Sequence, residues 1–323
     1  MDERESNIYH QGGTVSKLEN PSLYYFRQIT TSVEGLGLAS FSTQEIVFFD
    51  YLKKAVLERP LSIPRTKVLS EAIRKRSTVQ HTQKREILDL LRCDPQCILR
   101  VLNAANTSAK NEGKRTSSLD FAVLRLGMED VRAHLFSAPS QQFFDKCVDY
   151  HETADQLWRH ACLTAFLSGR LARKNKLYEE FAYLGALFAL SSPLLLFNLA
   201  ADLRAKLGEK KEPVEWKTFQ RFSDVLSPQL GGLLLCTWKL DLRLVNVVEY
   251  FQDDQRLGKD ELLRQVRIAA ACATYLDQRK EFGVEWLKEE MERLGDTTPE
   301  ATLTRDLDDY FEQFRYHMRH FDG

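Results

Sequence analysis

The chain has 323 residues, of which 43% are hydrophobic and 28% charged, with a formal net charge of -1. That composition describes a globular chain rather than a disordered one, and the length allows one large domain or a domain with an appendage. A balanced charge excludes a general electrostatic pull toward nucleic acid or an anionic membrane, so only local basic patches could bind anions.

Residues 1–41 are rich in Gly, Ser, Thr and Asn and show no sustained period, which predicts a loose or partly docked N-terminal arm. The segment Met1 to Gly13 is polar, with no apolar core of the secretory kind. Order is expected from Ser42, whose spacing to Glu45 forms a capping box ahead of Ile46, Phe49, Leu52 and Val56. Pro60 and Pro64 end that helix and impose an extended crossing. Short helices are predicted at about 65–76 and 82–92. Asp94-Pro95 then starts another, with a side-chain acceptor at the N-cap and proline at the first helical position.

A polar loop is expected from Asn106 to Ser117, followed by a helix from Ser118 that Gly127 closes. A long helix follows at about 151–173 and an uncharged helical pair at about 178–205. Phe181 to Ala201 carries no charge and is long enough to span a bilayer, but Ser191-Ser192-Pro193 divides it into two buried helices of about ten residues each. Ser227-Pro228 repeats the cap-and-proline device before a helix ending near Trp238. One further helix at about 242–252 and three at about 259–281, 284–294 and 300–320 complete the chain. No run alternates in the manner of a strand, so the fold class is all-α, with residues 42–256 as the main domain and 257–323 as a C-terminal helical extension.

The six cysteines, Cys93, Cys97, Cys147, Cys162, Cys236 and Cys272, include no C-x-x-C pair. Most lie in apolar helical patterns, where reduced thiols pack as small hydrophobes, and a reducing cytoplasm is the expected setting. Three basic clusters stand out: Arg74-Lys75-Arg76 with Lys84-Arg85, Lys114-Arg115, and Arg170 with Arg173, Lys174 and Lys176. Each reads first as a solvated helix face or end, and together, if they converge, as a site for a small anionic ligand or a partner. His317 and His320 have a metal-gripping spacing but sit at a polar helix end. The aromatic groups around Phe143, Phe144 and Tyr150, and at Tyr310, Phe311, Phe314, Tyr316 and Phe321, are read first as core and second as a partner surface.

Several segments in order resemble the HDOD domain, a helical signalling domain of bacteria related to the HD metal-dependent phosphohydrolases. They are Ile87-Leu88 with Asp94-Pro95, Leu99, Leu102 and Asn106-Thr107-Ser108; Ser118-Leu119 to Gly127; Trp158-Arg159-His160; Gly185-Ala186-Leu187; and Gly231-Gly232 to Trp238-Lys239-Leu240. The resemblance runs from about residue 56 to 255 and implies an HD-like multi-helix bundle.

Catalytic relatives hold one or two divalent ions with a histidine, a His-Asp pair and a later aspartate, ligands that activate water and neutralise phosphoryl charge. Here His160 falls at the first position, but Phe188-Ala189 replaces the pair, Phe251 and Gln252 stand where some relatives carry histidines, and Ala269 to Ala271 offers no acid. One surviving ligand is too few for an ordinary metal site. On that resemblance the expectation is a non-catalytic signalling module without a cofactor, acting on another signalling protein and not on nucleic acid or membrane. A receptor for an anionic nucleotide messenger in the vestigial cleft, or a relict hydrolase, are the alternatives. His160 itself is expected to be a hydrogen-bonded core residue.

Overall fold

A computed structural model describes residues 16–37, 40–77, 84–107, 115–137, 150–208, 216–319 and 321. The described chain is all-α, with no strand among these residues.

The N-terminal segment is not loose where it is described. Helix α1 (Pro21–Gly35) begins at the Asn20 cap, whose side chain accepts from the Leu23 amide, and proline occupies its first turn. Tyr25, Phe26, Ile29 and Val33 recur at helical spacing and are buried. The compositional reading missed this because three threonines and serines (Thr30, Thr31 and Ser32) break the apolar pattern without breaking the helix. Helix α2 (Thr43–Glu58) has the predicted capping box at Ser42 and Glu45. The extended crossing at the two prolines is pinned on both sides: the Ile63 amide donates to Gln96 Oε1 at 2.9 Å, and Asn198 Nδ2 donates to the Ser62 carbonyl at 3.0 Å.

Helices α3 (Lys67–Ser77), α4 (Lys84–Arg92), α5 (Pro95–Thr107) and α6 (Leu119–Leu126) follow. Gly127 closes α6 with a φ of 84°, the left-handed region, and its amide donates to the Val123 carbonyl. An additional helix, α7 (Met128–Ser137), starts directly after it, burying Val131 and Leu135.

The centre of the bundle is α8 (His151–Lys174), packed against α9 (Glu179–Ser191) and, further along the chain, α13 (Glu261–Asp277). α9 and α10 (Pro193–Leu207) form the uncharged pair, and 83% of their most apolar window is buried within the protein, as core helices require. At the break, the buried Ser191 and Ser192 hydroxyls donate to the Leu187 and Phe188 carbonyls at 2.6 and 2.7 Å, so both hydroxyls are satisfied inside the core before Pro193.

Ser227-Pro228 does not start a helix. It lies inside α11 (Trp216–Thr237). Phe222, Leu226, Leu230, Leu233 and Leu234 form one continuous buried stripe across the proline. At about 1.5–3 kcal/mol per buried side chain, that stripe outweighs the roughly 3 kcal/mol of an interior proline. The remaining elements are α12 (Leu242–Glu249), α13, α14 (Val284–Arg293) and α15 (Glu300–Met318), close to the predicted spans. α13 and α15 pack on α8 and α14 packs on α13, so the residues after 256 continue the core of the main bundle rather than forming a separate one.

Candidate functional site

The motif residues turn out to be devices that lock the bundle. Asp94 is fully buried; its Oδ1 accepts from the Cys97 amide at 2.9 Å as the α5 cap, and its Oδ2 pairs with Arg65 Nε at 2.5 Å. Arg65 also donates to the Leu135 carbonyl, tying α7 to this point. Pro95 fills the first position of α5, as its fixed φ favours. Asn106 clamps the end of the following loop, donating to the Thr116 carbonyl at 2.9 Å and accepting from its amide at 2.7 Å. Trp158, 1% exposed, donates Nε1 to the Cys93 carbonyl at 2.7 Å.

Gly185, Gly231 and Gly232 mark close helix approaches. A Cβ on Gly185 would lie 3.1 Å from Val247 Cγ1; one on Gly231 would overlap Ser192 Oγ and lie 2.5 Å from Val248 Cγ1. One on Gly232 would lie 2.6 Å from Tyr25 Oη and 2.8 Å from Glu249 Cγ. That last contact belongs to a polar clamp that sequence reasoning missed. Tyr25 Oη donates to Glu249, which also pairs with Lys17 Nζ at 2.7 Å, fastening the N-terminal segment to α12. Burial first, then the Glu249 charge, raises the Tyr25 phenol far above its ordinary range, so it stays a donor. Trp238 is half-buried where α11 ends and Lys239 turns the chain with a φ of 56°.

Phe188 and Ala189, expected from the resemblance at the His-Asp pair, are buried in α9, at 1% and 9% exposure. His160 is hydrogen-bonded, as expected, but not fully in the core. Its Nδ1 lies 2.8 Å from Asp277 Oδ2, with side-chain exposures of 25% and 37%. Asp277 sits at the C-terminal end of α13, beyond the Ala269–Ala271 stretch, and no local sequence signal links the two.

Phe251, Gln252, Ala270 and Ala271 do come together, lining one open cavity of about 520 Å³. Its rim is an ion network rather than a ligand shell. Asp254 bridges Arg267 at 2.9 Å and Arg293 at 3.0 Å; Arg293 also pairs with Glu290 at 2.5 Å, and Arg267 donates to the Phe251 carbonyl at 2.7 Å. Burial at Asp254 opposes ionisation, but hydrogen bonds from Arg293 and Arg267 outweigh it and hold the carboxyl below its usual range. The Arg293 hydrogen bond lowers Glu290 in the same way. These residues do not fit a divalent ion: the pair position carries a phenyl ring and a methyl group, and the nearby carboxylates are committed to guanidiniums. Among the described residues, no three His, Cys, Asp or Glu side chains are grouped to hold a metal.

The basic clusters are partly brought together. Arg85, Arg170 and Arg173 line one pocket, joined by Arg92. Lys174 points elsewhere, to Asp306 at 2.9 Å. Lys75 and Arg115 are exposed away from that pocket's lining. The side chains of Arg74 and Arg76, and all of Lys114, lie outside the described residues, as do Phe143, Phe144 and His320. His317 sits 3.5 Å from Asp89. The aromatic tail is mainly core: Phe314 and Phe321 are buried, Phe321 lies edge-on to Trp158, and only Tyr316 of the five is largely exposed.

Comparison with known proteins fits this architecture. No curated protein matches the chain. Among solved structures, the MmoQ response regulator of Methylococcus capsulatus str. Bath is similar at 18% identity and a TM-score of 0.56, over 75% of this chain and 97% of that one. A virulence factor from Campylobacter jejuni subsp. jejuni is similar at 13% identity and a TM-score of 0.50, over 84% of this chain and 99% of that one. An HDOD domain protein with unknown function from Geobacter sulfurreducens shares 16% identity, with a TM-score of 0.42, over 86% and 98% of the two chains. The HDOD domain profile matches residues 63–253, more than half of the sequence and the span that holds Asp94, Trp158, Gly185 and Gly231. The chain belongs to the HDOD domain family.

Proposed function

We propose that this protein is a non-catalytic signalling module of the bacterial cytoplasm that acts by contact with another protein. The observation that carries the reading is that Phe188 and Ala189, which the family resemblance sets at the metal-binding pair of the related hydrolases, are both buried in the core. Without imidazole or carboxylate there, water activation and phosphoryl charge neutralisation have no agent.

A surface suited to a partner supports the second half of the reading. The starts of α6, α9 and α12 meet: the Leu119 and Asp120 amides donate to Glu180, the Asp241 amide donates to Ser117 Oγ at 3.2 Å, and Arg243 lies 4.2 Å over the Phe181 ring. Around this junction Phe121, Leu124, Tyr178 and Leu242 are exposed at 62%, 78%, 74% and 41%. Large apolar side chains gathered in water are more characteristic of an interaction surface than of a bare monomer face. The MmoQ protein, of similar fold, is described as a response regulator.

The test is turnover. The purified protein with Mn²⁺ or Mg²⁺ is expected to hydrolyse neither phosphomonoesters nor cyclic nucleotides and dinucleotides. Hydrolysis that a His160→Ala substitution abolishes would overturn the reading.

A further inference from the structure

The second feature of this fold with a chemistry of its own is the pocket of about 310 Å³ between α4, α8, α9 and α15. It is distinct from the vestigial metal positions. Cys162, Phe166, Gly169, Arg170 and Arg173 line it from one stripe of α8, whereas His160 lies roughly 135° from the middle of that stripe around the helix axis, at about 100° per residue.

Its floor is apolar and aromatic. Phe166 and Phe314 pack against each other at a 52° tilt with ring centroids 5.8 Å apart, and Tyr183 closes one side, its hydroxyl donating to the Arg92 carbonyl at 2.9 Å. Its rim is cationic, with four guanidiniums, Arg85, Arg92, Arg170 and Arg173, against two carboxylates, Asp89 and Glu179. Arg92 and Arg173 have carboxylate partners, Asp120 at 3.0 Å and Glu179 at 2.6 Å. Arg85 and Arg170 have none among the described residues; each lies over a ring instead, at 5.5 Å from Tyr316 and 5.0 Å from Phe166. Stacking occupies the face of a guanidinium and leaves its N–H edge open, the edge that takes a phosphate by paired hydrogen bonds. An aromatic wall beside two such edges is complementary to a planar ring carrying a phosphate. The volume sits at the lower end of small-molecule sites, which suits a single nucleotide.

We propose that this pocket binds a nucleoside monophosphate, with the base against Phe166 and Phe314 and the phosphate on Arg85 and Arg170. Because Phe314, His317 and Met318 come from α15 while Arg85 and Arg170 come from α4 and α8, the ligand bridges the family domain and the C-terminal helix. Occupancy thereby strengthens the seating of α15. The site does not depend on the absence of catalysis: turnover at the His160 face and binding here are separate measurements with separate outcomes.

The experiment is titration calorimetry of the full chain with AMP, GMP, CMP and UMP, with adenosine and ribose 5-phosphate as half-ligands. At least one monophosphate is expected to bind with a Kd below about 1 mM, and its half-ligands more than about tenfold more weakly. Arg170→Gln and Arg85→Gln are each expected to weaken that binding about tenfold or more, while Arg264→Gln, in a cation–carboxylate pair on α13 outside this lining, leaves it unchanged. Amide exchange in Phe311 to Met318 should slow in the complex. No saturable binding of any of the four up to about 5 mM, or binding that survives both arginine substitutions undiminished, would overturn the proposal.

Discussion

Replacing Gly231 by alanine measures how closely α11 must approach its neighbours. In an unobstructed helix this change is favourable by about 0.5–1 kcal/mol, because alanine loses less backbone entropy. Here the added methyl overlaps Ser192 Oγ and lies 2.5 Å from Val248 Cγ1 and 3.1 Å from Ser192 Cβ. Neither neighbour can yield cheaply. Both side chains are 1% exposed, and the Ser192 hydroxyl is committed to the Phe188 carbonyl at 2.7 Å. Overpacking costs about 1–3 kcal/mol, and a displaced serine hydroxyl adds about 1 kcal/mol. After the helix gain is subtracted, the net loss is about 1–3.5 kcal/mol. Gly35, in α1, has no heavy atom within 4 Å of the corresponding Cβ, so Gly35→Ala should be neutral or stabilise by up to about 1 kcal/mol. Urea unfolding followed by far-ultraviolet circular dichroism separates the two. A Gly231→Ala midpoint at or above wild type would refute the close-packing account of this motif.

Removing the Asp94 carboxylate by Asp94→Ala should cost about 3–5 kcal/mol in the same assay, since it strands the buried Arg65 and uncaps α5. Tyr25→Ala should cost about 3–5 kcal/mol, loosening α1 so that limited proteolysis enters it first, whereas a dispensable arm would leave the midpoint unmoved. The double change Phe188→His with Ala189→Asp places an unpaired carboxylate in the core; it should lower stability without producing phosphoesterase turnover, and gain of turnover would contradict the reading. Asp254 and Glu290 have lowered carboxyl ranges in the folded protein, so their contribution is present above the unfolded-state values and is lost as pH falls through the folded ones. Because the Asp254 side chain is 63% exposed, the effect is small and salt-sensitive; Asp254→Asn should flatten the acid limb of stability against pH, and an unchanged limb would count against the network.

The helices were legible wherever apolar spacing and a cap agreed. Ser42 with Glu45, Asp94 with Pro95, and Gly127 each ended or began an element as their local chemistry demands. Reasoning from caps alone failed at Ser227-Pro228, where long-range burial on both sides carries the helix through a local stop signal. It failed in the opposite sense at α1, whose Asn20-Pro21 start was present but sat in a polar composition. The motif residues were legible as positions, but not what they touch. Arg65 is 29 residues from Asp94, Asp277 is 117 from His160, and Glu249 is 224 from Tyr25. Pairings of that separation follow from packing and leave no local trace. The convergence of Arg85 with Arg170 and Arg173 was similarly visible only as separate clusters, because it is the fold that brings α4 and α8 to one pocket.

The proposed function rests on packing and ion pairs standing where the related HD phosphohydrolases hold a metal centre. Its most direct test is metal content, by elemental analysis of the protein purified without chelator and after dialysis against Mn²⁺, Fe²⁺ or Zn²⁺. The account predicts no divalent ion retained in proportion to the chain, and no difference between wild type and His160→Ala. About one tightly held ion per chain, lost in His160→Ala, would contradict it.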